Sequence, residues 1–299
     1  MVNSESNQYD EAAAFVPGHV TGFFSAHPDE NPAAAGSRGA GITLSHGVDV
    51  RVERGGHGGT PDDASRQVRL NGEAIEIDAA ARVLDALEAT DAGVVAETPL
   101  PVGAGFGVSG AIALGTAYAV NAAYDSERSE NDLVRIAHCA EVEAGSGLGD
   151  VVAQARGGLP IRLEPGAPDH GQLDGIPARP RVEYISFGRV STEEILSGDT
   201  TALTAAGERA LSDLDEAPTP ERLVSLSRRF AREADLLTDH VADTIAAVRA
   251  EDGDAAMAML GDTVFAFGRS LSAAGYDPAV CSIDPAGATL LADDGGDDD

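Results

Sequence analysis

The sequence predicts a protein of mixed helices and strands that is built in two lobes. In the first half, residues 48–54 and 67–77 alternate apolar and polar side chains, as paired strands do. In the second half, helical patterns dominate. Residues 165–180 are rich in Pro and Gly and indicate a boundary. The predicted lobes are therefore residues 1–164 and 165–292, followed by an acidic tail at 293–299 that is expected to be disordered.

The elements of the first lobe follow from local signals. A strand at 13–24 is punctuated by Pro17-Gly18, and the glycine-rich stretch 36–41 predicts a turn before a strand at 42–44. Ser129 or Asn131 caps the helix predicted at 131–144, and Gly145 ends it. The remaining elements predicted here are strands at 48–54, 67–77, 93–97 and 159–163, and helices at 79–89, 111–123 and 151–155.

The second lobe is predicted to begin with a strand at 182–187. Its predicted helices are 192–196, 201–214, 220–237, 239–250 and 255–260.

The composition is strongly acidic. The chain carries 50 Asp and Glu against 20 basic residues, all of them Arg, for a net charge of −30. Such a surface repels nucleic acid and anionic membranes, so neither is expected as a partner. The acidity, the short apolar side chains and the lack of Lys are typical of proteins from a high-salt cytoplasm. At molar salt the Debye length is about 3 Å, so self-repulsion between these charges is screened.

Other features predict a soluble, cytoplasmic protein. Two cysteines, Cys139 and Cys281, are too few for a disulfide-stabilised secreted fold. The chain does not open on a signal peptide, and its longest apolar run, 111–123, is too short to span a membrane. Nothing in the pattern specifies an oligomeric state, so a homodimer is only the default expectation.

A glycine-rich loop is the strongest chemical signal. Its small residues precede the apolar helix at 111–123; they are Gly103, Gly105, Gly107, Ser109 and Gly110, with Phe106 and Val108 between them. Such a loop directs free N–H groups and the positive end of the helix dipole at one spot, as a phosphate site requires. A Walker loop is excluded because the chain has no Lys.

The loop has two other interpretations. The spacing Gly105-x-Gly107-x-x-Gly110 matches a dinucleotide fingerprint, but Pro99 and Pro101 interrupt its approach, and a second helix follows where a strand is required. A loop that only permits close helix packing is the structural alternative.

The helix at 131–144 adds titratable groups. His138 and Glu141 lie three residues apart on one face, Asp150 follows a second glycine turn, and Arg162 comes later. Phosphoryl transfer requires a phosphate cradle, a carboxylate for Mg²⁺, a group that positions the acceptor hydroxyl, and cations for the substrate charge. Ser109, Glu141, Asp150 and Arg162 would meet these requirements.

These residues resemble a known family. Residues 101–111, Pro-Val-Gly-Ala-Gly-Phe-Gly-Val-Ser-Gly-Ala, are similar to the phosphate motif of the small-molecule kinases that include galactokinase, homoserine kinase, mevalonate kinase and phosphomevalonate kinase. The stretches 17–24, 36–41, 105–111, 137–143 and 147–154 together resemble the archaeal pantoate kinases. The resemblance covers residues 13–163 well and the remainder mainly in character.

The resemblance implies the two-lobed α+β small-molecule kinase fold, with ATP bound by the first lobe and the active site between the lobes. It implies ATP and Mg²⁺ as cofactors and phosphorylation of the 4-hydroxyl of pantoate. By motif position, Gly103 and residues 105–110 would bind ATP, Ser109 and Glu141 would hold Mg²⁺, and Asp150 would orient or deprotonate the hydroxyl. Ser37, His138 and Arg162 would contact pantoate, with His19 standing where several members carry Lys.

Two alternatives stay open at this point. In the first, the protein is a related kinase whose acceptor is another small alcohol, such as homoserine or a mevalonate derivative. In the second, the protein is a non-catalytic nucleotide sensor. Retention of Ser109, Glu141 and Asp150 together favours an enzyme over a sensor.

Overall fold

The computed structural model describes residues 11–55, 67–189 and 200–292. Its strands are β1 (Glu11–His27), β2 (Gly36–Glu53), β3 (Gln67–Leu70), β4 (Glu73–Glu76), β5 (Gly93–Glu97), β6 (Leu159–Glu164), β7 (Gln172–Ile176), β8 (Arg181–Arg189), β9 (Ala255–Met257), β10 (Gly261–Phe267), β11 (Ala279–Ser282) and β12 (Thr289–Leu290). Its helices are α1 (Asp78–Ala86), α2 (Val108–Ala123), α3 (Glu130–Ala144), α4 (Asp150–Arg156), α5 (Thr201–Glu216), α6 (Pro220–Glu233), α7 (Asp239–Ala250) and α8 (Ser270–Ala273).

The described strands form two sheets. The first runs β12-β1-β2-β5-β3-β4, and β2 also pairs with β6, which forms a hairpin with β7. The second runs β11-β8-β10-β9. β7 and β12 follow residue 164 in the chain but join the first sheet. The predicted division of the chain into lobes at residue 164 stays a prediction. The predicted tail and the helix at 192–196 lie outside the described residues.

Helix α2 is the centre of the core. It packs against β1 and β2 on one side and against α1, α3 and α4 on the other. Its small residues are buried almost all round, which lets the sheet and the surrounding helices approach closely. This packing fixes the start of α2, and therefore the glycine loop, relative to α3 and α4. None of the helices in the described part of the chain has the length and apolar character that a bilayer crossing requires.

Two predicted elements were wrong. Residues 36–41 form no turn but belong to β2, where a Cβ at Gly39 would collide with the Phe23 carbonyl across a β-bulge. The glycines there mark a place where the backbones of β1 and β2 come unusually close. Residues 255–260 form no helix but β9 and a turn with Leu260 at φ 65°, because a short apolar run has no period that distinguishes the two states.

Candidate active site

The glycine loop links β5 to α2 and takes a conformation that needs glycine. Gly103, Gly105 and Gly107 have φ of 75°, 87° and 62°, and α2 begins directly after Gly107. The N–H groups in the first turn of a helix lack intrahelical partners. The positive end of α2 is therefore available to an anion at the wall of the cavity described next.

A cavity of about 360 Å³ lies over this loop. Its walls come from the loop, β1, β2, the end of α3, the start of α4, β6 and the turn before β10. Every predicted site residue except His138 lines it. Outside the glycine loop these residues are Ser37, Glu141, Asp150 and Arg162, and within the loop they are Gly103 and residues 105–110. The structure thus brings together residues that the sequence separates by up to 125 positions, with the glycine loop on one wall.

Glu141 is a buried carboxylate next to Ser109. It is 3% exposed, it accepts a hydrogen bond from Ser146 Oγ at 2.9 Å, and its side chain also bonds with that of Ser109. Burial, aided by repulsion from Asp150, raises the pKa of Glu141 to about 7, and the two serine hydrogen bonds only partly offset this. A neighbouring cation would favour its charged form.

Asp150 opens α4 and bonds with a histidine that is distant in sequence. His19 Nδ1 lies 2.6 Å from Asp150 Oδ1, and the side chain of Asp150 remains 25% exposed toward the cavity. Burial alone would raise the pKa of Asp150, but the hydrogen bond with His19 and the charge of Arg162 lower it below its usual range. Asp150 is therefore an ionised carboxylate at neutral pH.

Arg162 is the largest fully buried side chain among the described residues. Its Nε and Nη1 have no hydrogen-bond partner in the described part of the chain, and burial lowers its pKa to about 10, an effect that Asp150 opposes. A Cβ at Gly149 would lie 2.5 Å from Ser37 Oγ and 2.8 Å from Arg162 Nε, so both side chains meet at this glycine. A cationic donor and a hydroxyl therefore face the same part of the cavity.

The structure does not bring His138 to the cavity wall. Its Nε2 donates a hydrogen bond to the Ala35 carbonyl at 2.9 Å, and the side chain is 1% exposed. Burial lowers the pKa of His138, so the ring is neutral and ties α3 to the segment before β2. We therefore assign contacts to the substrate without it.

Two features of the site escaped the sequence prediction. The first is the contact between His19 and Asp150, which no local pattern shows. The second is the turn at Met259 and Leu260, which the sequence assigned to a helix. This turn lines the cavity, and a Cβ added to Gly105 would lie 2.9 Å from the Met259 carbonyl.

Comparison with known proteins identifies the family. Residues 75–158 match the family described as GHMP kinases N terminal domain. A pantoate kinase of Thermococcus kodakarensis is 35% identical over 268 residues, which cover 86% of this chain and 87% of the relative. The chain belongs to the pantoate kinase family. A family member from Methanocaldococcus jannaschii is 31% identical over 280 residues, 90% of this chain and 99% of the relative.

Solved structures confirm the α+β small-molecule kinase fold. A phosphotransferase related to the CoA biosynthesis pathway superposes with a TM-score of 0.81 at 30% identity, covering 94% of this chain and 98% of that chain. A homoserine kinase from Cytophaga hutchinsonii superposes with a TM-score of 0.64 at 16% identity, covering 96% and 99%, and at this identity shows the fold alone. The resemblance to the pantoate kinase family seen in the sequence is thus confirmed, and with it an ATP-dependent kinase.

Proposed function

We propose that this protein transfers the γ-phosphate of ATP to the 4-hydroxyl of pantoate, giving 4-phosphopantoate for coenzyme A synthesis. The observation that carries the choice of acceptor is Arg162, a buried guanidinium with two unpaired donors at the cavity. Unpaired buried donors are costly unless a ligand satisfies them, and a carboxylate matches the planar fork of Arg. Ser37 adds a hydroxyl at the same place. Pantoate is a small hydroxy acid of this kind.

The glycine-loop wall of the cavity suits the phosphates of ATP. Gly103, Gly105 and Gly107 let the backbone approach them, and the start of α2 offers free N–H groups. Ser109 adds a hydroxyl at the same place.

Ser109 and Glu141 provide the oxygen ligands that Mg²⁺ prefers. In the described part of the chain no three His, Cys, Asp or Glu side chains gather as a metal cage. This fits an ion held by one or two protein ligands together with phosphates. The ion would neutralise charge on the transferred group, and Glu141 would then be ionised.

Asp150 is the acceptor of the hydroxyl proton in this proposal. The 4-oxygen of pantoate forms a bond to the γ-phosphorus while the bond from that phosphorus to the β,γ-bridging oxygen breaks, and ADP leaves with the electron pair. Asp150 takes the proton from the hydroxyl, and Arg162 holds the pantoate carboxylate so that the hydroxyl stays near it. The lowered pKa of Asp150 keeps it ionised and ready to accept.

An assay of ADP release in high KCl tests this function. Pantoate, homoserine and mevalonate are offered at equal concentration with ATP and Mg²⁺, and the product is checked for phosphate on the 4-oxygen. Turnover with pantoate well above the other two supports the proposal. Turnover only with another alcohol moves the enzyme to a different acceptor. ATP binding without turnover on any of the three contradicts an enzymatic function and favours a sensor.

A further inference from the structure

His19 is a buried titratable residue that the proposed chemistry does not yet use. It lies in β1 and is completely buried. Its backbone N–H donates to the Phe106 carbonyl of the glycine loop at 2.9 Å, and its Nδ1 lies 2.6 Å from Asp150 Oδ1. One residue is thus bonded to both the phosphate loop and the carboxylate that faces the acceptor.

The surroundings of the imidazole leave it a single side-chain partner. Nε2 has no hydrogen-bond partner in the described part of the chain, and a Cβ at Gly41 would collide with it. The charged groups acting on His19 are Asp150 and Arg162. Burial lowers the pKa of His19, so the ring is neutral and its Nδ1 carries the proton that Asp150 accepts.

We propose that His19 is a positioning residue: its Nδ1–H holds Asp150 Oδ1 and leaves Oδ2 to take the proton of the acceptor hydroxyl. The proposal rests on the proposed function. Asp150 is the first residue of α4, and its carboxylate turns about two side-chain torsions unless it is held. A displacement of about 1 Å from the reactive geometry lowers the rate by about 100-fold. The backbone hydrogen bond from His19 to Phe106 fixes the position of His19, and therefore of Asp150, relative to the glycine loop that would hold the phosphates.

Two substitutions separate this role from simple packing. His19→Asn keeps an N–H donor near the position of Nδ1, whereas His19→Leu fills similar space without a donor. His19→Leu should lower kcat by about 100-fold while the KM for ATP stays within about twofold. His19→Asn should recover most of that kcat. Binding of a non-hydrolysable ATP analogue and thermal unfolding in high KCl verify that each variant is folded.

A measurement without turnover tests the same contact. In ¹⁵N-histidine protein, the His19 ring signals should show a proton on Nδ1 in a strong hydrogen bond. Asp150→Asn should shift that proton signal upfield, while the analogous substitution of an exposed acid, Asp169→Asn, leaves it unchanged. Signals of the other histidines are excluded by comparison with His19→Asn.

The outcomes are distinct. Wild-type protein that fails to phosphorylate pantoate overturns the proposed function, and the NMR experiment still decides whether His19 holds Asp150. Wild-type turnover combined with an unchanged kcat in His19→Leu overturns the role of His19 alone. Equal losses of kcat in folded His19→Asn and His19→Leu, or a proton on Nε2 instead of Nδ1, also overturn it. A loss of kcat in His19→Leu with recovery in His19→Asn supports it.

Discussion

Thr263 in β10 donates a hydrogen bond from Oγ1 to the Ala104 carbonyl of the glycine loop at 2.8 Å. Both residues are buried, and Thr263 Oγ1 also lies 3.0 Å from Ser186 Oγ in β8. Nearby, the Met259 N–H donates to the Thr21 carbonyl at 2.9 Å, so β10 is bonded to the glycine loop and the turn before it is bonded to β1. The shape of the glycine loop therefore depends on residues about 160 positions further along the chain.

Thr263→Val tests this dependence. Valine keeps the volume but removes the donor, which leaves the buried Ala104 carbonyl without that partner. We expect a loss of about 1–3 kcal/mol in the free energy of unfolding, measured by urea titration in high KCl. The KM for ATP should rise because the loop is less restrained. Thr263→Ser, which retains the hydroxyl, should leave the KM for ATP near the wild-type value. Equal KM values in all three proteins would contradict the role.

Glu141 predicts how stability changes with pH. Its pKa is about 7 in the folded protein against 4.5 in the unfolded chain, so between these values only the folded state holds the proton. The stabilisation of the folded state by this proton is complete below pH 4.5 and is lost as pH rises through 7. Without nucleotide and divalent cations, stability should fall by about 3 kcal/mol between pH 5 and pH 8.5 at constant salt.

The matched controls for this pH effect lie on the same helix. Glu141→Gln should remove most of the fall, because the amide does not titrate. Glu143→Gln changes an exposed acid whose ion pair with Arg82 is at the surface, so it should retain the fall. A wild-type stability that does not change across this range would contradict the buried environment assigned to Glu141.

The predicted secondary structure succeeded where caps or turn residues are explicit. The strand at 93–97 and the helix at 239–250 have the predicted bounds, and the Ser129 capping box and Gly145 at φ 68° bound α3. It failed at 36–41 and 255–260, where tertiary contacts decide the backbone. The glycines in β2 allow its backbone to approach β1 closely. The Ala-rich run at 255–257 becomes a strand because it pairs with β10.

The sequence likewise predicted some parts of the candidate site and missed others. Ser109, Glu141 and Asp150 come from motifs close together in sequence, and the structure places them around one cavity. His19 and Asp150 are 131 positions apart, and their contact depends on how β1 packs against α4. The orientation of His138 depends on a carbonyl before β2, so its position on the same helical face as Glu141 was not enough to place it in the cavity.

Asp150→Ala should lower kcat by about 10²–10⁴-fold if this carboxylate accepts the hydroxyl proton. Asp150→Asn keeps the size and an acceptor oxygen for His19 but does not take up a proton, so it should lose a similar amount. Affinity for an ATP analogue should stay close to wild type in both. A kcat near normal in either variant would restrict Asp150 to a structural role.

The acidic surface predicts dependence on salt. With a net charge of −30, self-repulsion acts over about 30 Å at 0.01 M salt but only about 3 Å at 1 M. We expect helical circular dichroism and kinase activity to be lost on dialysis to low salt and regained in molar KCl. A spectrum unchanged at low salt would contradict adaptation to high salt. Substitution of several exposed acids by Asn or Gln should lower the salt concentration required.

Arg162 should separate substrate binding from stability. Arg162→Ala should raise the KM for pantoate much more than the KM for ATP, because the guanidinium is assigned to the carboxylate of the acceptor. Arg162→Met keeps most of the volume without the charge and without two buried unpaired donors. We expect it to be more stable than wild type by about 1–3 kcal/mol while binding pantoate poorly.

A nearby arginine provides the control for these variants. Arg38 lies on β2, the strand that pairs with β6, and is outside the cavity wall; its Nε donates to the Leu163 carbonyl at 2.7 Å. Arg38→Met removes a satisfied hydrogen bond, so it should lower stability and leave the KM for pantoate unchanged. A guanidinium that is kept for binding should, when replaced by Met, give a more stable protein with a higher KM for pantoate. If Arg162→Met instead is less stable and keeps the wild-type KM for pantoate, the role of the buried guanidinium is structural.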